Sequence, residues 1–347
     1  MALPGEAPSF WWNRSDWRAW ALWPASALYG AVAAQLMRRA PRVPVEAPVL
    51  CVGNFTVGGE GKTPVAIALA RKAIAMGHCP GFLSRGHGGA HSGLHMVNAD
   101  EDSARVVGDE PLLLARAAPT VVAADRVEGA RRLIAEGCDL IIMDDGFQSA
   151  KLHMDFALMV VDARRGLGNG HVLPGGPLRA PLGRQMHYVD AVLTMGKGDG
   201  ADYVIRRTAR AGRAVFAASV QPINAPDFAG KQVLAFAGIG NPDKFYDTLR
   251  MVGAEVVETR SFADHHAFTD EELSELLEEA EKRQLIPVTT DKDLVRIANG
   301  MPHAAEFRDR IKSLSIEAVF EEALTPQRII QQAITRGRER MVRGRAG

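Results

Sequence analysis

The residues with the clearest chemical meaning lie in Pro48–Pro64, PVLCVGNFTVGGEGKTP. Val49, Leu50, Cys51 and Val52 are apolar or small enough for one buried strand. A glycine-rich turn follows (Thr56, Val57, Gly58, Gly59, Glu60, Gly61), then Lys62-Thr63 and the helical pattern VAIALARKAIAMG. Strand, glycine loop, Lys-Thr and helix is the order of a phosphate-binding loop. Its glycines let backbone N–H groups converge on phosphate oxygens, and the helix N-terminus adds partial positive charge. Lys62 would reach the β- and γ-phosphates of a nucleoside triphosphate, and Thr63 would offer its hydroxyl to Mg²⁺. Two departures qualify the match. G-x-x-x-x-G-K-[ST] asks for glycine where Thr56 stands, and Pro64 removes an N–H usually aimed at the α-phosphate. A firmer grip on the β- and γ-phosphates than on the α is expected.

Acids come next. In MDDGFQ, residues 143–148, an apolar run ends in Asp144-Asp145, where phosphate-loop proteins place the carboxylate that organises Mg²⁺. Asp109-Glu110 open another helix, where carboxylates favour the helix dipole; the functional alternative makes one a general base and the other a metal ligand. His265, in DHH at 264–266, sits beside an acid on a loop before the capping box Thr269–Glu272 and is a candidate for tuning that base. The glycine- and arginine-rich stretch 162–181, DARRGLGNGHVLPGGPLRAP, could wrap an anionic head group, and Arg85 in SRGHGG is a further candidate. AGIGNP at 237–242 leads into a helix whose N–H groups could meet an anion. TTDKD at 289–293 fails as a guanine-reading [NT]-K-x-D, so GTP is not favoured.

These residues need a scaffold. Short apolar strands alternate with helices from Pro48 onward, which predicts an α/β fold with a doubly wound parallel sheet of the phosphate-loop NTPase kind. The pattern weakens over Asp202–Pro226, and a second, smaller α/β series follows. The expected division is an N-terminal helix and connector (1–44), a kinase core (45–225), a lid-like unit (226–305) and a late strand, Lys312–Phe320, with a basic helix returning to the core (306–347). The first segment carries all five tryptophans, and Ala19 to Met37 is free of charge. Alanine, Pro24, Ser26, Gly30 and Gln35 make it a poor membrane span, whereas Trp with Arg suits a helix lying on a bilayer surface. Over 347 residues the net charge is zero and the pI about 7.2, which speaks against bulk nucleic-acid binding. Three scattered cysteines form no disulfide framework and fit a reducing compartment.

Taken together, TVGGEGKTP (56–64), SRG (84–86), VGDEP (107–111), DDGFQ (144–148), DARRGLGNGHVLPGGPLR (162–179), AGIGNPDKF (237–245), ADHHAF (263–268) and TTDKD (289–293) resemble the tetraacyldisaccharide 4′-kinases of lipid A biosynthesis. The resemblance implies two α/β/α units that close over ATP and Mg²⁺. It implies phosphorylation of the 4′-hydroxyl of a tetraacyldisaccharide 1-phosphate by a peripheral enzyme on the cytoplasmic face of the bacterial inner membrane. Carried over by position, Lys62 and Thr63 serve the phosphates, Thr63, Glu110, Asp144 and Asp145 the metal, and Asp109 acts as base assisted by His265. Arg85, Gln148, Asn169 and Arg179 fall to the substrate. His87 stands where the family often has an aromatic residue, which puts a stacking contact there in doubt. Two other functions keep the phosphate loop without the lipid: a soluble small-molecule kinase, and a nucleotide-switch or metallochaperone-type NTPase.

Overall fold

The computed structural model describes residues 7–58, 61–86, 89–90, 93–149, 151–298 and 303–345. Gly59, Glu60 and His87, named above for the phosphate loop and the stacking contact, lie outside the described residues.

The first sheet holds β1 (Val49–Gly53), β2 (Pro80–Ser84), β3 (His95–Met96), β4 (Thr120–Val122), β5 (Leu140–Asp144), β6 (Phe156–Asp162), β7 (Ala191–Met195) and β8 (Ala214–Pro222). The second holds β9 (Gln232–Ala237), β10 (Glu255–Ser261), β11 (Ile286–Thr290) and β12 (Lys312–Leu314), and β13 (Ile316–Phe320) returns to the first. The first sheet is ordered β13-β8-β7-β6-β1-β5-β2-β4-β3. From β8 to β4 its strands run parallel, and the antiparallel pairs β13·β8 and β3·β4 close its edges. The α/β, doubly wound class expected from the apolar runs is the class observed.

Alternation along the strands explains why those runs are unbroken. Val49, Cys51, Ile141, Met143 and Met159 face one core, while Leu50, Val52, Ile142, Leu158 and Val160 face the other. With both faces covered the strand positions are mostly apolar, and buried hydroxyls such as those of Thr120 and Thr194 donate to backbone carbonyls. The second face is covered by helix Lys62–Ala75, through Val65 and Leu69, and by helix Thr325–Arg345, through Ile329, Ile330 and Ala333. The latter helix also locks the foot of β1. Arg340 donates from Nε at 2.8 Å to Asp155, a carboxylate only 5% exposed that also accepts the Val49 N–H at 2.8 Å.

β1 lies between β5 and β6, with Val52 beside Asp144 on one side and Gly53 beside Met159 on the other. The chain lays β5 against one flank of β1 and then crosses to the other for β6, so the carboxyl end of β1 is a switch point where such sheets bind ligands.

The second sheet, ordered β10-β9-β11-β12, is parallel throughout and sandwiched between its own two cores, one around Leu234 and Phe236, the other around Val233 and Ala235. Two sequence expectations need correction. Over Asp202–Pro226, where the pattern reads as weak, the structure has helix Asp202–Arg210 and the long β8, whose alanine-rich apolar run Ala214–Ala218 is mostly half-buried. The single strand expected over Lys312–Phe320 breaks at Ser315. Its first half pairs with β11 in the second sheet, and only its second half returns to β8. Asn224 pins this crossing by donating to the Ser313 carbonyl at 2.9 Å and accepting the Ser315 N–H at 2.9 Å.

At the N-terminus, helix Trp17–Ala21, capped by Asp16, turns at Leu22 into helix Trp23–Arg39. Gly30 meets Pro181 and Val172, and the Ser26 hydroxyl accepts the Gly175 N–H at 2.9 Å, so this helix lies against the 162–181 stretch. The two helices together leave Trp17, Trp20, Trp23, Leu28, Tyr29, Val32 and Leu36 exposed. Among the described residues no helix is long and apolar enough to cross a membrane.

Candidate active site

The phosphate loop leaves β1 at Gly53, whose Cα packs so closely on Phe147 that a methyl group there would meet its Cβ at 2.8 Å. Thr56 is buried and bridges Leu178, and Val57 donates its N–H to the Pro177 carbonyl at 2.8 Å. The non-glycine residue at position 56 is thus a strand-like anchor to the following arginine-rich loop. Gly58 and Gly61 adopt φ of 123° and 84°, a backbone that side chains avoid. Lys62 and Thr63 are the first residues of their helix, and both are buried. Lys62 Nζ donates to the Gly58 carbonyl at 3.2 Å, folded over the loop, and stands 3.7 Å from Asp145.

Asp144 ends β5 opposite Val52, and the Thr63 hydroxyl donates to its Oδ2 at 3.1 Å. Its Oδ1 is buried without a hydrogen-bond partner among the described residues. Burial, with the charges of Asp145 and Glu110 adding, raises its pKa to about 7 against the pull of Lys62 and the Thr63 hydroxyl. A buried carboxylate oxygen without a partner, beside a Thr hydroxyl and a phosphate loop, suits a hard cation completed by phosphate oxygens. Among the described residues no group of three or more His, Cys, Asp or Glu could hold a metal alone.

Asp145 points elsewhere. Its φ of 52° turns it out of the strand, and Arg179 holds it with Nη1–Oδ1 at 2.7 Å and Nη2–Oδ2 at 2.9 Å. Arg179 Nε also donates to the Thr56 carbonyl at 2.9 Å, so a single guanidinium ties the strand end to the phosphate loop. Gln148 donates to the Asn54 carbonyl at 2.8 Å and to Gln185 Oε1 at 3.0 Å. Asn169 ties its loop to the N-terminal segment, its side chain donating to the Gly175 carbonyl at 2.9 Å and its backbone N–H to the Trp11 carbonyl at 2.7 Å. Arg85 is exposed beyond β2.

Asp109 and Glu110 begin helix Asp109–Ala115, and across the cleft lie two parts of the second unit. The first is the loop carrying His265, whose φ of 59° is supported by its N–H donating to the Gly238 carbonyl at 3.1 Å. His266 steadies this loop. It stacks on Phe262 at 4.8 Å, stands edge-on to Phe268, and bonds Glu272 at 2.9 Å, the acid that completes the capping box of helix Asp270–Lys282. His265 Nδ1 lies 3.3 Å from Asp109 Oδ2. The Asp109 hydrogen bond raises the His265 pKa. Burial would push Asp109 up, but the His265 hydrogen bond and the charges of Lys292 and Arg296 hold it well below the usual carboxylate range.

The second part is helix Asp291–Ala298, with two cations that reading by motif did not place here. Lys292 Nζ bonds Glu110 Oε1 at 2.7 Å, and Arg296 Nη2 donates to Asp109. Their one-turn spacing put them on one helix face, and that was the available signal; nothing local said that the face meets Asp109-Glu110. Arg126 was also missed. It is buried, its Nη1 donates to the Ser84 carbonyl at 3.0 Å, and burial together with Arg85 brings its pKa down to about 10.

The geometry therefore joins a phosphate loop, a metal-suited carboxylate and an Asp-His pair across one cleft. Comparison with known proteins gives this arrangement a family. The family model for tetraacyldisaccharide-1-P 4′-kinase matches residues 18–335. The chain is 59% identical over 338 residues to the tetraacyldisaccharide 4′-kinase of Chelativorans sp. (strain BNC1), covering 97% of this chain and 98% of the relative. It is 53% identical over 342 residues to that of Mesorhizobium japonicum, with 98% and 100% covered. In fold it is similar to the crystal structure of LpxK from Aquifex aeolicus in complex with ATP, with a TM-score of 0.71 at 24% identity, over 91% of this chain and 99% of that one. The chain belongs to the tetraacyldisaccharide 4′-kinase family.

Proposed function

We propose that this kinase transfers the γ-phosphoryl group of ATP to the 4′-hydroxyl of a tetraacyldisaccharide 1-phosphate, giving the 1,4′-bisphosphate. The observation that carries this reading is the approach of His265 to Asp109, 3.3 Å across the cleft beside the phosphate loop. A sugar hydroxyl is a weak nucleophile near neutral pH. Asp109 takes its proton as the O4′–Pγ bond forms and the bond from Pγ to the β,γ-bridging oxygen breaks, releasing ADP. His265 orients Asp109 and offers the proton a second resting place. Lys62 and the loop N–H groups neutralise charge on the β- and γ-phosphates. Thr63 and Asp144 would hold Mg²⁺, with Glu110 and Asp145 next to them; the ion supplies charge neutralisation and alignment of the phosphates.

Arg85, Gln148, Asn169 and Arg179 are assigned to the side where the disaccharide enters. The exposed Trp17, Trp20, Trp23, Leu28, Val32 and Leu36 would rest on the cytoplasmic face of the inner membrane, so that the acyl chains of the substrate need not leave the bilayer. The defining experiment incubates the protein with γ-labelled ATP, Mg²⁺ and purified tetraacyldisaccharide 1-phosphate in mixed micelles. Label on the 4′ position is the expected product. Label appearing only as inorganic phosphate would instead favour a nucleotide-switch NTPase. Equal transfer to a water-soluble sugar without lipid would favour a soluble kinase.

A further inference from the structure

The mechanism above leaves two cations unused, and both sit where they hinder it. Arg296 is anchored to its own unit through Nη1, which donates to the Gly238 carbonyl and to Asp293 Oδ1, each at 2.6 Å. Its Nη2 crosses the cleft to Asp109 and also stands 3.3 Å from His265 Nδ1. Arg296 and Asp109 have side chains only 6% and 3% exposed, so water does little to loosen this pair. One turn earlier on the same helix, Lys292 pairs with Glu110 at 2.7 Å. A carboxylate clasped by a guanidinium has its lone pairs occupied and is a poor proton acceptor. Breaking a buried ion pair is costly unless another charge takes its place.

The nucleotide itself can bring that charge. Helix Asp109–Ala115, which carries Glu110 in its first turn, packs against helix Lys62–Ala75, which opens with Lys62 and Thr63 of the phosphate loop. The triphosphate would therefore enter next to both cations. We propose that Lys292 and Arg296 exchange partners when Mg-ATP binds, leaving Glu110 and Asp109 for the terminal phosphate oxygens. In this exchange the nucleotide removes the clasp from the base and places two charge-assisted donors on the group being transferred. The Thr290 hydroxyl, which donates to Asp293 Oδ2 at 2.7 Å, keeps the Asp293 carboxylate beside Arg296 in either state. The catalytic meaning of the exchange rests on Asp109 being the base; the exchange itself does not.

The test is a binding cycle on the full-length protein, using calorimetry with Mg²⁺ and β,γ-methylene-ATP. If Asp109 competes with the triphosphate for Arg296, Asp109→Asn tightens binding of the analogue about 5-fold or more. In an Arg296→Gln background the same substitution changes affinity less than about 2-fold, and in Arg296→Lys, which keeps a cation, part of the tightening survives. Equal tightening in wild-type and Arg296→Gln backgrounds would be a field effect of the lost charge and would overturn the exchange, as would no tightening at all. Lys292→Gln, at a partly exposed site, gives a second arm. It weakens the triphosphate analogue about tenfold and leaves ADP unaffected, since only the former carries a γ-phosphate. Equal loss for both nucleotides would remove Lys292 from the proposal. Turnover of Asp109→Asn is measured separately. If it is undiminished, the base assignment fails while the binding cycle still decides the exchange.

Discussion

The wall of the cleft formed by the first sheet and the wall formed by the second unit contribute to the site in different ways. On the first wall, Lys62 and Thr63 come from the start of one helix and Asp144 from the end of β5, all three buried beside a sheet covered on both faces. On the second wall, His265 is half-exposed on a loop, and Arg296 and Lys292 reach over from a helix edge. The first is a preformed cradle. The second is joined to the first by Val295, buried against Val107 and Leu112, and by the ion pairs of Lys292 and Arg296, which are the bonds the proposed exchange would change. On the proposed mechanism, rigidity resides where the phosphates would be gripped, and adjustability where the base would be armed.

Substitutions at the two walls sharpen this contrast. The largest effect is expected from Asp109→Ala, which should lower turnover about 10²–10⁴-fold while ATP still binds, as read by single-turnover transfer and nucleotide titration. Lys62→Ala, on the cradle, should impair both. Unchanged turnover in Asp109→Ala would take that residue out of the mechanism. Next comes the foundation of the cradle. Arg340→Ala strands Asp155, and denaturant unfolding should register a loss of about 3–5 kcal/mol, with no change in the affinity of the remaining folded protein for ATP. A loss below about 1 kcal/mol would mean that the foot of β1 does not depend on this pair.

His266→Leu removes the bond to Glu272 that presents His265. Turnover should fall up to about 10²-fold through misplacement alone, with little loss of stability or ATP affinity. Full activity would show that the loop needs no such support. The smallest effect concerns pH. Burial would raise Glu272, but the bonds from His266 and Thr269 hold it below its ordinary value. Its contribution to stability is therefore complete above the unfolded pKa, near 4.5, and is lost as pH falls through the lower folded one. Acid unfolding of Glu272→Gln should accordingly be less steep in this window than that of the parent protein.

The two walls also differ in how readily their sequence could be read. Val49–Val52 and Leu140–Met143 are unbroken apolar runs because both faces of the sheet are covered, and glycines with φ near 84° and 123° mark the loop between strand and helix. Those are local demands, written in consecutive residues. β8 escaped notice because three of the five residues in its apolar run Ala214–Ala218 are alanine, a weak strand former, and Ser315 gave no local sign that the chain would change sheets there. Among the candidate site residues, Asp145 and Arg179 were assigned separately to metal and substrate. The structure brings them together as a bidentate pair 34 residues apart in sequence.

The sequence by itself determined the α/β alternation, the phosphate loop, the acidic strand end and the capping box before helix Asp270–Lys282. Each depends on spacing within a few residues, where backbone geometry allows few alternatives. Only the tertiary structure decided that Arg296 clasps Asp109, that Lys292 covers Glu110, and that His265 meets Asp109 from another unit. These contacts span more than 150 residues. They depend on how two separately packed sheets come to face each other through crossings at Asn224 and Ser315, and no local pattern of residues encodes that relation.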